Sequence, residues 1–154
     1  MNGNIFFTLW HGPARYIILI FAVYIIIGLP FTIFYYKRRK NAAAAYLEQH
    51  PSASTVLLVT RVFFGNLSDT IFVTSANNEI PVHFYEAKKQ AFYILPGENI
   101  IEVEASWTKK GLTKTTTTTT GPVKIKVTAE PYTTYQLKYD IDENRFIFEK
   151  NIEK

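Results

Sequence analysis

The 154-residue chain has room for one globular domain and a further helix, but not for two full domains. Its net charge of +4 lies wholly in residues 1–50, where Arg15, Lys37, Arg38, Arg39 and Lys40 face only Glu48; residues 51–154 hold twelve bases and twelve acids and are neutral. A neutral folded part argues against a nucleic-acid partner, because phosphate neutralisation requires a basic surface, and the lack of cysteine excludes disulfide frameworks, thiol catalysis and cysteine-ligated zinc.

Residues 1–12 form a short tail whose stretch NGNIFFTLW carries no base and suits a membrane interface. From Tyr16 to Tyr36 the chain reads YIILIFAVYIIIGLPFTIFYY, twenty-one residues without a charge. At a rise of 1.5 Å per residue such a helix is about 31 Å long, the thickness of a hydrocarbon core. Gly12-Pro13 suits a helix start, and Gly28 with Pro30 predicts a bend within the span. Trp10 and Tyr16 at one end, and Tyr35 and Tyr36 at the other, match interfacial aromatic belts. A cleaved signal sequence is the competing reading. It would place its bases before a shorter apolar core and small residues directly after it, whereas here Lys37-Arg38-Arg39-Lys40 follows the core. The expectation is therefore a retained transmembrane helix with a basic flank over 13–40. The positive-inside rule puts the C-terminal domain in the cytoplasm, with an extracytoplasmic domain as the alternative.

Asn41 to His50 favours helix through its four alanines, and Pro51 ends it, so 41–53 reads as a helical stalk or linker. Beyond it the period changes to two. Ile101, Val103, Ala105 and Trp107 alternate with polar residues, as do Val123, Ile125, Val127 and Ala129, and Tyr135, Leu137, Tyr139 and Ile141. Thr55–Phe64 is apolar on both faces through much of its length, which marks a central strand. Shorter strands are expected at Thr70–Ser75, Ile80–Tyr85, Gln90–Leu95 and Arg145–Glu149. Turn signals separate them at Gly65-Asn66, Asn77-Asn78, Pro96-Gly97, Lys110-Gly111, Gly121-Pro122 and Asp142–Asn144. The pattern predicts an antiparallel β-sandwich of about seven strands over 54–154. Thr115–Thr120 is expected to be an exposed edge strand or hairpin arm, with a flexible loop as the alternative.

Phe92-Tyr-Ile-Leu-Pro-Gly-Glu-Asn-Ile-Ile-Glu-Val-Glu104 resembles the Leu-Pro-Gly-Glu pattern of PEGA-type and carboxypeptidase-regulatory-like (transthyretin-like) β-sandwich modules. Residues 127–139 resemble the following strand pair. Asn99 departs from that pattern, as does the threonine insertion. The resemblance implies a non-catalytic module of a cell envelope.

Candidate chemistry is sparse. His11, His50 and His83 share no metal-ligand spacing, and a nucleophile triad would have only His83 in the β-domain, without a Gly-x-Ser-x-Gly turn. Glu102 and Glu104 share a strand face, but Lys124 and Lys126 at the same spacing favour cross-strand ion pairs over a carboxylate site. Asp140, Asp142 and Glu143 read as a solvated turn, and Asn66-Leu-Ser68 as a glycosylation sequon relevant only in a secretory setting. No catalytic residue, cofactor or metal is expected. The expected partners are the lipid bilayer and another membrane or envelope protein. A glycan- or peptide-binding module using Phe84, Tyr85, Phe92, Tyr93 or Trp107 is the alternative, with core packing as the competing role for those rings.

Overall fold

A computed structural model describes residues 14–60, 67–86, 88–111 and 113–151. The chain divides into two compact units, one ending at Asn41 and the other beginning at Ala42. The first holds helix α1 (Ala14–Val23), a π-helical turn (Tyr24–Gly28) and the start of helix α2 (Leu29–Gln49). The second holds the end of α2 and nine strands: β1 (Ser54–Leu58), β2 (Leu67–Ala76), β3 (His83–Glu86), β4 (Lys89–Ile94), β5 (Gly97–Lys110), β6 (Thr115–Thr119), β7 (Val123–Ala129), β8 (Thr134–Asp140) and β9 (Arg145–Lys150).

The strands form two sheets. One has the order β3-β4-β1-β8-β9; in the other β5 pairs with β2 along one side and with β7 and then β6 along the other. One core draws on both sheets: Val56, Leu58, Phe92, Ile94, Tyr135, Leu137 and Tyr139 from the first, and Ile71, Val73, Ile101, Val103, Ala105, Val127 and Ala129 from the second. Those of β5, β7 and β8 are residues that the period-two alternation turns inward, although Val123 at the start of β7 is exposed; each large side chain so buried contributes roughly 1.5–3 kcal/mol.

Thr55–Phe64 was expected to lie centrally, and its described part, β1, does. Val56 and Leu58 face the common core. Leu57 faces the other way, into a second cluster with Ala43, Phe84 and Ala91. Ala43 lies on α2, so the expected stalk is not free helix throughout: its end covers one face of the sheet, and Tyr46 stacks on Tyr93 at 5.6 Å between ring centres. Residues 61–66, with the remainder of that expected strand and Asn66 of the sequon, lie outside the described residues.

Three features correct the expectation of a wholly antiparallel arrangement of about seven strands. Nine strands are described rather than about seven: each of the eight stretches singled out by alternation or apolar runs holds one, and the threonine run adds β6 as the exposed edge strand expected of it. β1 runs parallel to β8, from Thr55 opposite Thr134 to Leu58 opposite Leu137. β3 starts at His83 rather than Ile80, because Pro81 lacks an N–H for the ladder.

The sheets are joined at corners with their own polar stitching. Pro96-Gly97 carries the chain from β4 in one sheet to β5 in the other, with Gly97 at φ +98°. Asn99, buried in the common interior, donates to the carbonyls of Leu95 (2.8 Å) and Gly97 (3.0 Å) and accepts from the Asn77 amide (2.8 Å). Asn77 and Asn78, both at positive φ, close the turn after β2 and accept the Ile100 N–H at Asn77 Oδ1. At the β7-to-β8 corner, buried Ser54 donates to the Glu130 carbonyl, and the Tyr135 hydroxyl accepts the Glu130 N–H at 2.9 Å.

Asn99→Ala removes three hydrogen bonds made by a buried side chain, two to the Leu95 and Gly97 carbonyls and one from the Asn77 amide, and is expected to lower unfolding free energy by about 1–3 kcal/mol. Glu98→Ala removes only an exposed ion pair with Lys126 (2.8 Å) and is expected to change it by less than about 1 kcal/mol. Denaturant titrations of the two variants followed by tryptophan fluorescence check the contrast.

Candidate functional site

The apolar helix accommodates a proline and a threonine within its own backbone. Pro30 has no N–H to offer the Ile26 carbonyl and its ring crowds the turn before it. The helix widens there: the Leu29 N–H reaches the Tyr24 carbonyl, five residues back. Gly28 completes the accommodation, since a Cβ at that position would lie 2.9 Å from the Tyr24 ring. Thr32, the one threonine of the run, donates to the Gly28 (3.0 Å) and Leu29 (2.8 Å) carbonyls. The expected bend at Gly28 and Pro30 is thus expressed as a π-helical turn.

Large apolar side chains are exposed all round this helix, including Ile20, Phe21, Ile26, Phe31 and Phe34. It is the one helix among the described residues long and apolar enough to cross a bilayer. Of the interface candidates, Trp10 lies outside the described residues. Tyr16 stands on α1; Tyr35 and Tyr36 close the charge-free run on α2, and Lys37, Arg38, Arg39 and Lys40 follow them there. The Arg39 guanidinium lies over the Tyr35 ring, 4.6 Å from its centre, so base and aromatic act as one unit at that end.

In the β-domain the groups singled out for chemistry have structural surroundings. His83 Nε2 is 3.3 Å from the Val73 carbonyl, at the bulge between Val73 and Ser75, and its Nδ1 is 3.3 Å from the Gln90 amide. Glu102 stands opposite Lys124 in register, as expected, but its carboxylate accepts from Ser75 (3.3 Å); Glu104 accepts from Thr119, and Lys126 pairs diagonally with Glu98. Asp140 Oδ1 accepts the Asp142 and Glu143 N–H groups, closing the acidic turn, and Glu143 pairs with Arg145. Among the described residues no three His, Asp or Glu side chains gather as a metal site.

Of the five rings considered for ligand binding, Phe84 and Phe92 are buried, Trp107 stacks on Tyr139 at 5.5 Å, and Tyr93 lies against Phe84 at 4.3 Å; Tyr85 is exposed. What sequence reading missed is the layer Tyr46–Tyr93–Phe84, which seats the helix end on the sheet. The signal was available in Leu57, Phe84 and Ala91, apolar residues on the sheet face turned away from the core.

Set against protein-family models, curated proteins and solved structures, the chain matches none. The likeness to PEGA-type modules therefore rests on residues 92–104 and 127–139 themselves. In both, the segment crosses from one sheet to the other rather than forming a hairpin within a sheet.

Burial, and secondarily the negative charge of Glu86, raise the Tyr93 phenol above its ordinary value of 10.0. The folded state thus favours neutral Tyr93. That stability is complete below the unfolded value near 10 and is lost as pH rises through the higher folded value. Alkaline titration of folding is expected to show this loss in the native chain and a smaller one in Tyr93→Phe, read by denaturant midpoints at successive pH values.

Proposed function

We propose that this chain is a single-pass membrane protein whose C-terminal β-sandwich is a non-catalytic interaction or accessory module of a membrane or envelope complex. The observation that carries the anchor is the charge-free run Tyr16–Tyr36, exposed on all sides and followed at once by Lys37-Arg38-Arg39-Lys40. An exposed apolar helix of that length has its favourable environment in lipid, where each backbone group is satisfied within the helix. The two sheets sharing one core support the sandwich reading.

The basic cluster orients the anchor with the β-domain in the cytoplasm. A module held at the bilayer meets membrane partners at raised effective concentration, and its strand edges offer backbone hydrogen bonds to a partner strand. The charge balance of residues 51–154 directs the partnership to protein rather than nucleic acid.

The chain is expected to stay in the membrane pellet through an alkaline carbonate wash; release by the wash would overturn the anchor. The native chain has no cysteine, so single-cysteine variants report topology directly. Thr128→Cys is expected to react with an impermeant maleimide only after permeabilisation, and Asn2→Cys in intact cells. The reverse pattern places the domain outside. Replacing Lys37, Arg38, Arg39 and Lys40 with glutamine is expected to give a mixed orientation in the same assay.

A further inference from the structure

Four of the exposed strand edges in the β-domain carry a device that discourages pairing with another chain. β3 is four residues long and follows Pro81; β9 carries Arg145, Glu149 and Lys150; β7 carries Lys124 and Lys126; β2 is bulged between Val73 and Ser75 and holds buried Asp69. β6 has none. It is five threonines, all exposed, with neither charge, proline nor bulge, and no described strand lies beyond it.

Its hydrogen-bonding direction follows from the ladder. The Thr120 N–H donates to the Ala105 carbonyl (2.9 Å) and the Gly111 N–H to the Lys114 carbonyl (2.8 Å), so the even-numbered residues of this hairpin bond inward to β5. Because bonding alternates along an antiparallel pair, the N–H and C=O groups of Thr115, Thr117 and Thr119 turn outward to the open edge.

We infer that β6 pairs antiparallel with β6 of a second copy of this chain, about a two-fold axis at Thr117, making one continuous sheet across the two copies. The inference goes beyond the proposed function by naming the occupant of one edge, and rests on it only for the concentrating effect of a common membrane. In this register Thr117 exchanges both bonds with its counterpart, and Thr115 does so with Thr119 of the second copy, so every outward group is used. Any slip shortens the overlap. All cross-strand neighbours are threonine pairs, whose hydroxyls bond readily across strands, as Thr108 and Thr117 already do at 3.0 Å. The antiparallel sense also keeps Lys109, Lys110 and Lys114 of the two copies at opposite ends; a parallel pair would bring them together.

The test uses the full chain in its membrane or in mild detergent. Thr117→Cys is expected to cross-link to itself with a short bis-maleimide at least about fivefold faster than Ser68→Cys on the opposite sheet edge; equal rates would overturn the inference. Thr117→Pro removes an outward N–H while sparing the backbone bonds to β5, losing only the exposed hydroxyl contact with Thr108, so it is expected to abolish the dimer in mass photometry with the circular dichroism of the native chain. A dimer that survives in Thr117→Pro overturns the inference. Thr117→Lys and Thr117→Glu keep the backbone and serve if the proline variant misfolds. Each alone sets like charges face to face and is expected to weaken dimerisation on the order of tenfold, while an equal mixture restores it. Failure of the mixture to associate overturns the Thr117 axis. Retention of these variants in the carbonate-washed pellet reports separately on the anchor.

Discussion

The second unit is organised by the burial of β1 from both sides. Val56 and Leu58 enter the core shared by the two sheets, and Leu57 enters the cluster closed by Ala43 of α2. A strand covered on both faces cannot alternate, which is why Val56-Leu57-Leu58 reads as a continuous apolar run. β1 also holds its sheet together laterally, with β4 antiparallel on one side and β8 parallel on the other. Truncating Leu57 would therefore loosen the seat of the helix end and the middle of the sheet together.

The second sheet has a comparable spine in β5, fourteen residues long. Its first half pairs with β7 and its second half with β6, while β2 runs along the other side through most of its length. The two spines meet through corners in which buried polar groups have named partners: Asn99 with Asn77 at one, Ser54 and Tyr135 with the Glu130 backbone at another. Such groups are costly when unpaired, so they fix where the chain leaves one sheet for the other.

Much of this was legible in the residues. Period-two alternation identifies the inward faces of β5, β7 and β8 because one wet and one dry face impose that period. The two-faced apolar run gives β1 its central place. The aromatic and basic ends of the apolar helix are readable from composition alone, and Trp10 is the one interface candidate outside the described residues. What alternation does not encode is the partner. It tells which way Val127 and Tyr135 point, but not that the turn between them changes sheets, nor that β1 lies parallel to β8. Asn99 was visible only as a departure from a likeness, since a buried amide is indistinguishable from an exposed one until its acceptors are in place. Pro81 explains the late start of β3, a local rule that the apolar pattern of Ile80–Tyr85 obscured.

The parallel pairing of β1 has a consequence in time. Ser54 and Thr133, which hydrogen-bond beside that pairing, are 79 residues apart in sequence. On a chain made from its N-terminus, β1 emerges directly after the apolar helix and waits for nearly the whole domain before β8 arrives to cover its flank. During synthesis Val56, Leu57 and Leu58 are thus an uncovered strand next to the segment proposed to enter the membrane. The β1–β8 pairing can form only once both strands have emerged, and until then the flank of β1 is open to chaperones or to another chain.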